Sequence, residues 1–286
     1  MTTLNLSRMF TSLLATSFFF VCTGFAEDAV APATVKKTEE TEVTKEEEQS
    51  LFSFDFYVDF YSAYVWRGLI ITEEPVWQPN ASMAVNFGDY GSFSAALFAN
   101  FNATTRANRN HCGGLDEIDY VIGYEVDVSF LTLGIGHTWW TFPSVTDSSY
   151  DHSSREINLS AEIDNDYVVP FVEVNIDYAE AEGLYGLAGL RKEIQVVDQL
   201  MVGAEVSLGA GTNPYTDYYF DNNSKTGLVD GNIALYTQFD ITDNLYVGAK
   251  LVFTAVLDSA LQDVYPEYDP QDNHMIWGGF TLGATF

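Results

Sequence analysis

The sequence predicts an all-β chain: a transmembrane, antiparallel, up-and-down β-barrel of about twelve strands. Three observations carry that reading. Large apolar residues alternate with polar ones in segment after segment, and a period of two places them on opposite faces of a strand. The connections alternate between short and long, the one after the seventh strand being the exception, as they do in outer-membrane barrels. The aromatic residues sort to the two ends of the segments, where a bilayer has its interfaces.

The first segment shows the pattern at its clearest. Phe52, Phe54, Phe56, Val58, Phe60 and, past Ser62, Tyr64 share one parity, while Ser53, Asp55, Tyr57, Asp59 and Tyr61 take the other. A helix would spread these phenylalanines over all its sides. One face therefore suits lipid and the other a polar lumen.

The second strand, about Trp77–Phe87, puts Trp77, Ala81, Met83, Val85 and Phe87 outward, and Gly88–Gly91 turns it back. The third carries Phe93, Ala95, Leu97, Ala99 and Phe101 outward and ends in the polar stretch Ala103–Gly114. The fourth sets Ile118, Tyr120, Ile122, Tyr124 and Val126 against Glu117, Asp119 and Glu125, and turns at Asp127–Ser129. Leu131, Leu133, Ile135 and Trp139 mark the fifth, followed by a long loop, Phe142–Ser153. The sixth sets Ile157, Leu159, Ala161 and Ile163 against Glu156, Asn158, Ser160 and Glu162.

In the seventh, Val172, Val174, Ile176 and Tyr178 oppose Glu173, Asn175 and Asp177, with Pro170 awkward for a strand interior but close to the turn. The eighth, Leu184–Glu193, has no assignable facing. The ninth puts Val202, Ala204, Val206, Leu208 and Ala210 outward, with Glu205 and Ser207 inward. A loop spans 211–231, and the tenth strand carries Ile233, Leu235 and Phe239. The eleventh carries Leu245, Val247, Ala249, Leu251 and Phe253. A long loop, Asp258–His274, leads to the twelfth: Ile276, Gly278, Phe280, Leu282, Ala284 and Phe286.

An even, closed set leaves no strand edge facing lipid. Trp66, Trp77, Phe101, Trp139 and Tyr178 are expected in an outer aromatic girdle, and Phe54, Phe87, Phe93, Phe239 and Phe286 in an inner one.

Composition agrees with this. The chain has 286 residues, 12 Lys+Arg against 41 Asp+Glu, a formal charge of -29 and 15% aromatics. Such acidity repels nucleic acid and suits a neutral or cationic partner, or one bridged by divalent ions. Beyond the N-terminus no stretch is long and apolar enough for a transmembrane helix. Residues 1–26 read as a signal peptide: Arg8, an apolar run Met9–Phe25, then Gly24 and Ala26 before the cut. Cleavage removes Cys22 and leaves Cys112 alone, so no internal disulfide is expected. Residues 27–50 are rich in Ala, Thr and Glu and lack aromatics, which marks a disordered periplasmic lead-in with room for a short helix near Glu39–Gln49. The barrel takes residues 51–286.

Ser62-Ala63-Tyr64-Val65-Trp66-Arg67-Gly68 resembles the S-x-Y-V-[FW]-R-G signature that opens the TorF-type porin family, bacterial outer-membrane proteins of unknown function. The closing segment Gly279–Phe286 looks like the C-terminal signal read by the barrel-assembly machinery of the outer membrane. The resemblance implies a porin of a Gram-negative outer membrane, and brings neither a substrate nor site residues.

The inward face is the strongest functional signal. By parity, Asp55, Asp59, Glu117, Asp119, Glu125, Glu156, Glu162, Glu173, Asp177 and Glu205 line the lumen, with Arg67 and Lys250 as the clear opposing charges. A surplus of carboxylates in a confined channel attracts cations. The alternative is a filled, hydrogen-bonded, non-conducting interior. Twelve strands put the backbone radius on the order of 12 Å, which leaves room for either. Arg67, expected near the outer end of the first strand, either pairs with a wall carboxylate or forms a constriction. The loop Asn213–Asn223 mixes aromatics and carboxylates; it is either a surface loop or one folded into the mouth to bind a sugar, a nucleoside or a cation.

No enzyme is expected. His137 is outward but no outward Ser neighbours it; His111, His152 and His274 fall in loops and share no metal spacing with one another or with Cys112. Asp221–Gly227 matches a calcium loop only loosely. The expected function is therefore an outer-membrane, porin-like channel for passive, cation-leaning diffusion of small solutes. Its alternative is a non-conducting barrel that serves as an envelope scaffold or binds through its loops. Expected partners are outer-membrane lipids and lipopolysaccharide, small solutes and the assembly machinery through the Phe286 strand, with no cofactor and no metal.

Overall fold

Alternation at a two-residue period becomes a closed wall once each strand finds a neighbour on both sides. The computed structural model describes residues 51–103, 114–144, 153–220, 225–262 and 273–286. The expected signal peptide and lead-in, the stretch Glu39–Gln49 expected to have room for a helix, His111, Cys112, His152 and most of the Asp221–Gly227 stretch lie outside the described residues.

The elements in order are β1 (Phe52–Tyr61), β2 (Tyr64–Trp66), β3 (Leu69–Thr72), β4 (Val76–Asn86), β5 (Ser92–Asn102), β6 (Leu115–Val128) and β7 (Leu131–Thr141). Then come β8 (Ser153–Ile163), β9 (Val169–Asp177), β10 (Gly183–Val197), β11 (Leu200–Gly211), α1 (Asn213–Tyr219), β12 (Gly227–Asp240), β13 (Leu245–Val256) and β14 (His274–Thr285). β1 and β4–β14 form one closed antiparallel barrel, and β2–β3 is a separate two-stranded hairpin. Twelve wall strands match the expectation. β1 closes the ring against β14, with Asp55 opposite Thr285 and Tyr61 opposite Gly279.

The short turns β4–β5, β6–β7, β8–β9, β10–β11 and β12–β13 gather at one end, where Phe54 N–H also donates to Phe286 O at 2.9 Å. The longer connections lie at the other end, with β9–β10, residues 178–182, as the short exception. Pro170 sits in β9 just beyond its last pair with β8, at Phe171, so its missing N–H interrupts no bond on that side.

Facing follows parity. Phe54, Phe87, Phe93, Phe239 and Phe286 are exposed on the outer wall near the short turns. At the other end Trp77 stacks on Phe101 across β4–β5, ring centroids 4.3 Å apart. β10 resolves as well: Tyr185 and Arg191 face inward, while Leu184 and Leu190 face out. Its sequence hid this because leucines occur at both parities.

Close approaches set the local curvature. Gly203 lies opposite Tyr236, Gly283 opposite Tyr246 and Gly189 opposite Phe171, and in each case an added Cβ would come within 2.1–2.3 Å of the ring. Aromatic cover over a glycine bends a strand and pins its register. Gly203→Val is expected to cost about 1–3 kcal/mol by overpacking, read as a lower denaturation midpoint in detergent micelles.

Three expectations need correction. The first strand ends at Tyr61, not Tyr64: Tyr64 and Trp66 belong to the β2–β3 hairpin and are buried, so Trp66 is not a girdle residue. The 211–231 loop is shorter and holds α1, which buries Tyr215 and Thr216, with Phe220 after it, and leaves Asp217 and Tyr218 exposed, so one side of it is packed inward. His274 opens β14 rather than lying in a loop.

Candidate functional site in the lumen

The hairpin between β1 and β4 folds into the barrel. Its two-residue turn, Arg67-Gly68, has φ of 47° and 79°, and positive φ at both positions is the geometry of a tight twisted hairpin. Glycine fits there for a second reason: a Cβ on Gly68 would meet Asp230 Cβ of β12 at 2.8 Å. The turn is therefore seated against β12, three strands round the ring from β1 by way of β14.

The hairpin touches the wall almost all the way round. The Tyr64 hydroxyl donates to Glu117 of β6 at 2.9 Å, and its ring leans on Phe98 of β5. Trp66 meets Trp140 of β7 edge-on at 5.5 Å and Tyr219 of α1 at 5.0 Å. Arg67 reaches Glu156 of β8 with two parallel bonds, Nη1 to Oε1 at 2.8 Å and Nη2 to Oε2 at 2.9 Å. β8 stands five strands round the ring from β1 by way of β4, so this ion pair spans the lumen. Arg67 is 2% exposed and Glu156 0%. The guanidinium also lies 4.6 Å from the rings of Trp66 and Tyr185 and 5.7 Å from Trp140. A planar cation among ring faces, forked onto a carboxylate, combines the strongest contacts arginine makes.

Helix α1 completes the filling. Pro214 opens it and Phe220 N–H closes it onto Thr216 O at 2.9 Å. It sits so close to β10 that a Cβ on Gly183 would strike Tyr215 N at 2.4 Å. The Tyr219 hydroxyl donates to Asp177 at 2.8 Å, and Tyr215 packs on Tyr185. Trp277, Tyr61, Val65, Leu69, Val229, Val252 and Leu261 join the same buried cluster.

The ten wall carboxylates expected inward are all shielded. Asp55, Asp59, Glu117, Asp119, Glu125, Glu156, Glu173 and Asp177 are buried, and Glu162 and Glu205 half-buried. Many accept from neighbours: Asp55 from Thr285 at 2.7 Å and Tyr246 at 3.3 Å, and Asp59 from Thr281 at 2.5 Å. Asp177 also accepts from Ser154 at 2.9 Å. Arg67 does pair with a wall carboxylate, but from a hairpin tip rather than from the end of the first strand. Lys250 is buried, its ammonium 6.0 Å from the Trp277 ring.

The sequence reading missed Arg191, which is buried and pairs with Glu162 at 3.0 Å, because the facing of its strand was ambiguous. It also missed Asp230, which accepts from the Tyr185 hydroxyl at 3.0 Å and from Asn232 at 2.9 Å. Extending the parity of Ile233 back by three residues would have found it. His137 Nε2 lies 2.7 Å from the Tyr178 hydroxyl. Among the described residues, no three His, Cys, Asp or Glu side chains gather as a metal site.

A closed twelve-stranded barrel, apolar outside and acidic inside with part of its own chain in the lumen, is the class of molecule the geometry defines. No protein-family model matches the chain, and neither does any curated protein. Among solved structures, a KdgM porin is 9% identical with a TM-score of 0.45, covering 82% of this chain and 98% of its own. A NanC porin is 11% identical at 0.48, covering 82% and 98%. The COG4313 outer membrane channel from Pseudomonas putida F1 is 8% identical at 0.48, covering 86% and 100%.

Proposed function

We propose that the chain is an outer-membrane, porin-like channel through which small solutes diffuse passively, with a preference for cations. The observation that carries this is the charge of the inner wall. The ten shielded carboxylates expected from the sequence, with Asp230 besides, face three buried bases, Arg67, Arg191 and Lys250, inside a ring whose outer wall is apolar. Such an excess favours cations along the whole path. The β2–β3 hairpin and α1 stand in that path, so conduction requires the hairpin to withdraw. The second reading, a non-conducting barrel that serves as scaffold or loop-borne binder, is favoured by the strap that Arg67 and Glu156 make across the lumen.

Conductance in planar bilayers separates them. Tyr61 and Val76 are direct partners across β1–β4, so a short turn can replace residues 62–75 without disturbing the wall. The intact protein is expected to give brief, small current steps. The hairpin-free protein is expected to give steady, larger ones that pass potassium in preference to chloride. Silence from both proteins overturns the channel in favour of the scaffold.

A further inference from the structure

We propose that the pocket now filled by Arg67 is a binding site for a guanidinium-bearing solute, and that the hairpin tip is its tethered, self-supplied occupant. This rests on the channel reading, whose solute class it names. Withdrawing the hairpin removes Arg67 and Trp66 and leaves the other components on the wall and on α1. Glu156 of β8 offers both carboxylate oxygens, already oriented by Asn158 Nδ2 at 3.1 Å from Oε2. Trp140 of β7 and Tyr185 of β10 present ring faces at 5.7 and 4.6 Å from where the guanidinium carbon sits. Tyr185 is held by its hydroxyl bond to Asp230, and Tyr215 packs against it. A fork of two acceptors flanked by aromatic faces favours a planar, weakly hydrated guanidinium, which donates two parallel N–H bonds while stacking on the rings, over a strongly hydrated spherical ion such as sodium.

The site is not a by-product of chain closure. A two-residue turn with arginine in the left-handed region is a costly way to end a hairpin, and the contacts of its side chain offset that cost. Tethering gives Arg67 an effective concentration on the order of millimolar. A free guanidinium must match it to displace the hairpin, so solute arrival and opening of the path become one competition for Glu156.

The probe is methylguanidinium at millimolar, non-denaturing concentration, with tetramethylammonium and sodium as comparison cations. Arg67→Ala protein in detergent micelles is expected to show a saturable rise in Tm and a saturable change in tryptophan fluorescence with methylguanidinium alone. The intact protein is expected to respond only at several-fold higher concentration, because tethered Arg67 competes for the same carboxylate. Arg67→Ala/Glu156→Gln should bind about tenfold more weakly, having lost the ionic fork. No saturable response in Arg67→Ala, or an equal response in the double variant, overturns the proposal. Should Arg67→Ala not refold alone, recovery of heat-modifiable barrel upon refolding with methylguanidinium supports the site, and no recovery counts against it. Saturable binding in a protein that never conducts would sink the channel reading and leave a binding site. Conductance by Arg67→Ala that methylguanidinium neither occupies nor blocks would sink the site and leave the channel.

Discussion

Glu156→Ala is expected to destabilise the barrel by about 3–5 kcal/mol, the cost of leaving a buried charge without its partner. The Arg67 side chain is 3% exposed, and the fork to Glu156 is its ion pair across the lumen. With Glu156 gone, the guanidinium either stays among the rings without a counter-charge or leaves with the hairpin. Leaving exposes Val65, Trp66 and Leu69, all now buried, so both routes cost stability. Arg67→Met/Glu156→Leu is expected to recover most of the loss, because apolar replacements of a buried pair are often neutral or better. The pair's coupling energy follows from the four-way cycle of denaturation midpoints, read by tryptophan fluorescence in micelles. A loss below about 1 kcal/mol for Glu156→Ala would mean that the strap is a solvated, weak contact and that the hairpin is not held as described.

Gly279→Ala should be as damaging, for a reason of geometry rather than charge. Gly279 lies where β14 closes the ring on β1, opposite Tyr61. A Cβ there would sit 1.8 Å from Phe60 O, a backbone atom that cannot move without breaking the seam. The preceding Gly278 is pinched in the same way from the other side, where a Cβ would lie 2.2 Å from Lys250 O. The closing strand thus touches both neighbours at glycine, and one methyl group parts the ladder. The expected loss is on the order of 4 kcal/mol, in the range reserved for core or backbone disruption. It should appear as a collapse in the heat-modifiable fraction on an unboiled gel. Gly227→Ala, at a site where a Cβ meets nothing within 4 Å, is the matched control and should fold normally. Equal folding of the two variants would remove the seam argument.

The conformation of the Arg67 hairpin also shows why one stretch was misread. Phe60, Ser62, Tyr64 and Trp66 continue the period of β1 without a break, and tyrosine and tryptophan suit a membrane interface as well as a buried core. The signal that was present is Arg-Gly between Val65-Trp66 and Leu69–Thr72, a two-residue turn between β-formers. The 213–219 helix was hidden by its length: seven residues are too few for a helical period to stand out among aromatics and carboxylates. Arg191 was lost because β10 carries leucine on both faces.

By itself the sequence determined the strand count, the short turns and the inward facing of most wall carboxylates. Each of these is a local property: side-chain parity is set by the backbone, and the contrast between lipid and lumen writes it residue by residue along Phe52–Tyr61 or His274–Thr285. Only the tertiary structure decided what fills the middle. Whether Tyr64–Thr72 prolongs the wall or crosses it depends on Glu156, 89 residues away along the chain, and on Trp140 and Tyr185, which offer Arg67 a better place than solvent. No pattern along the chain carries a contact of that range.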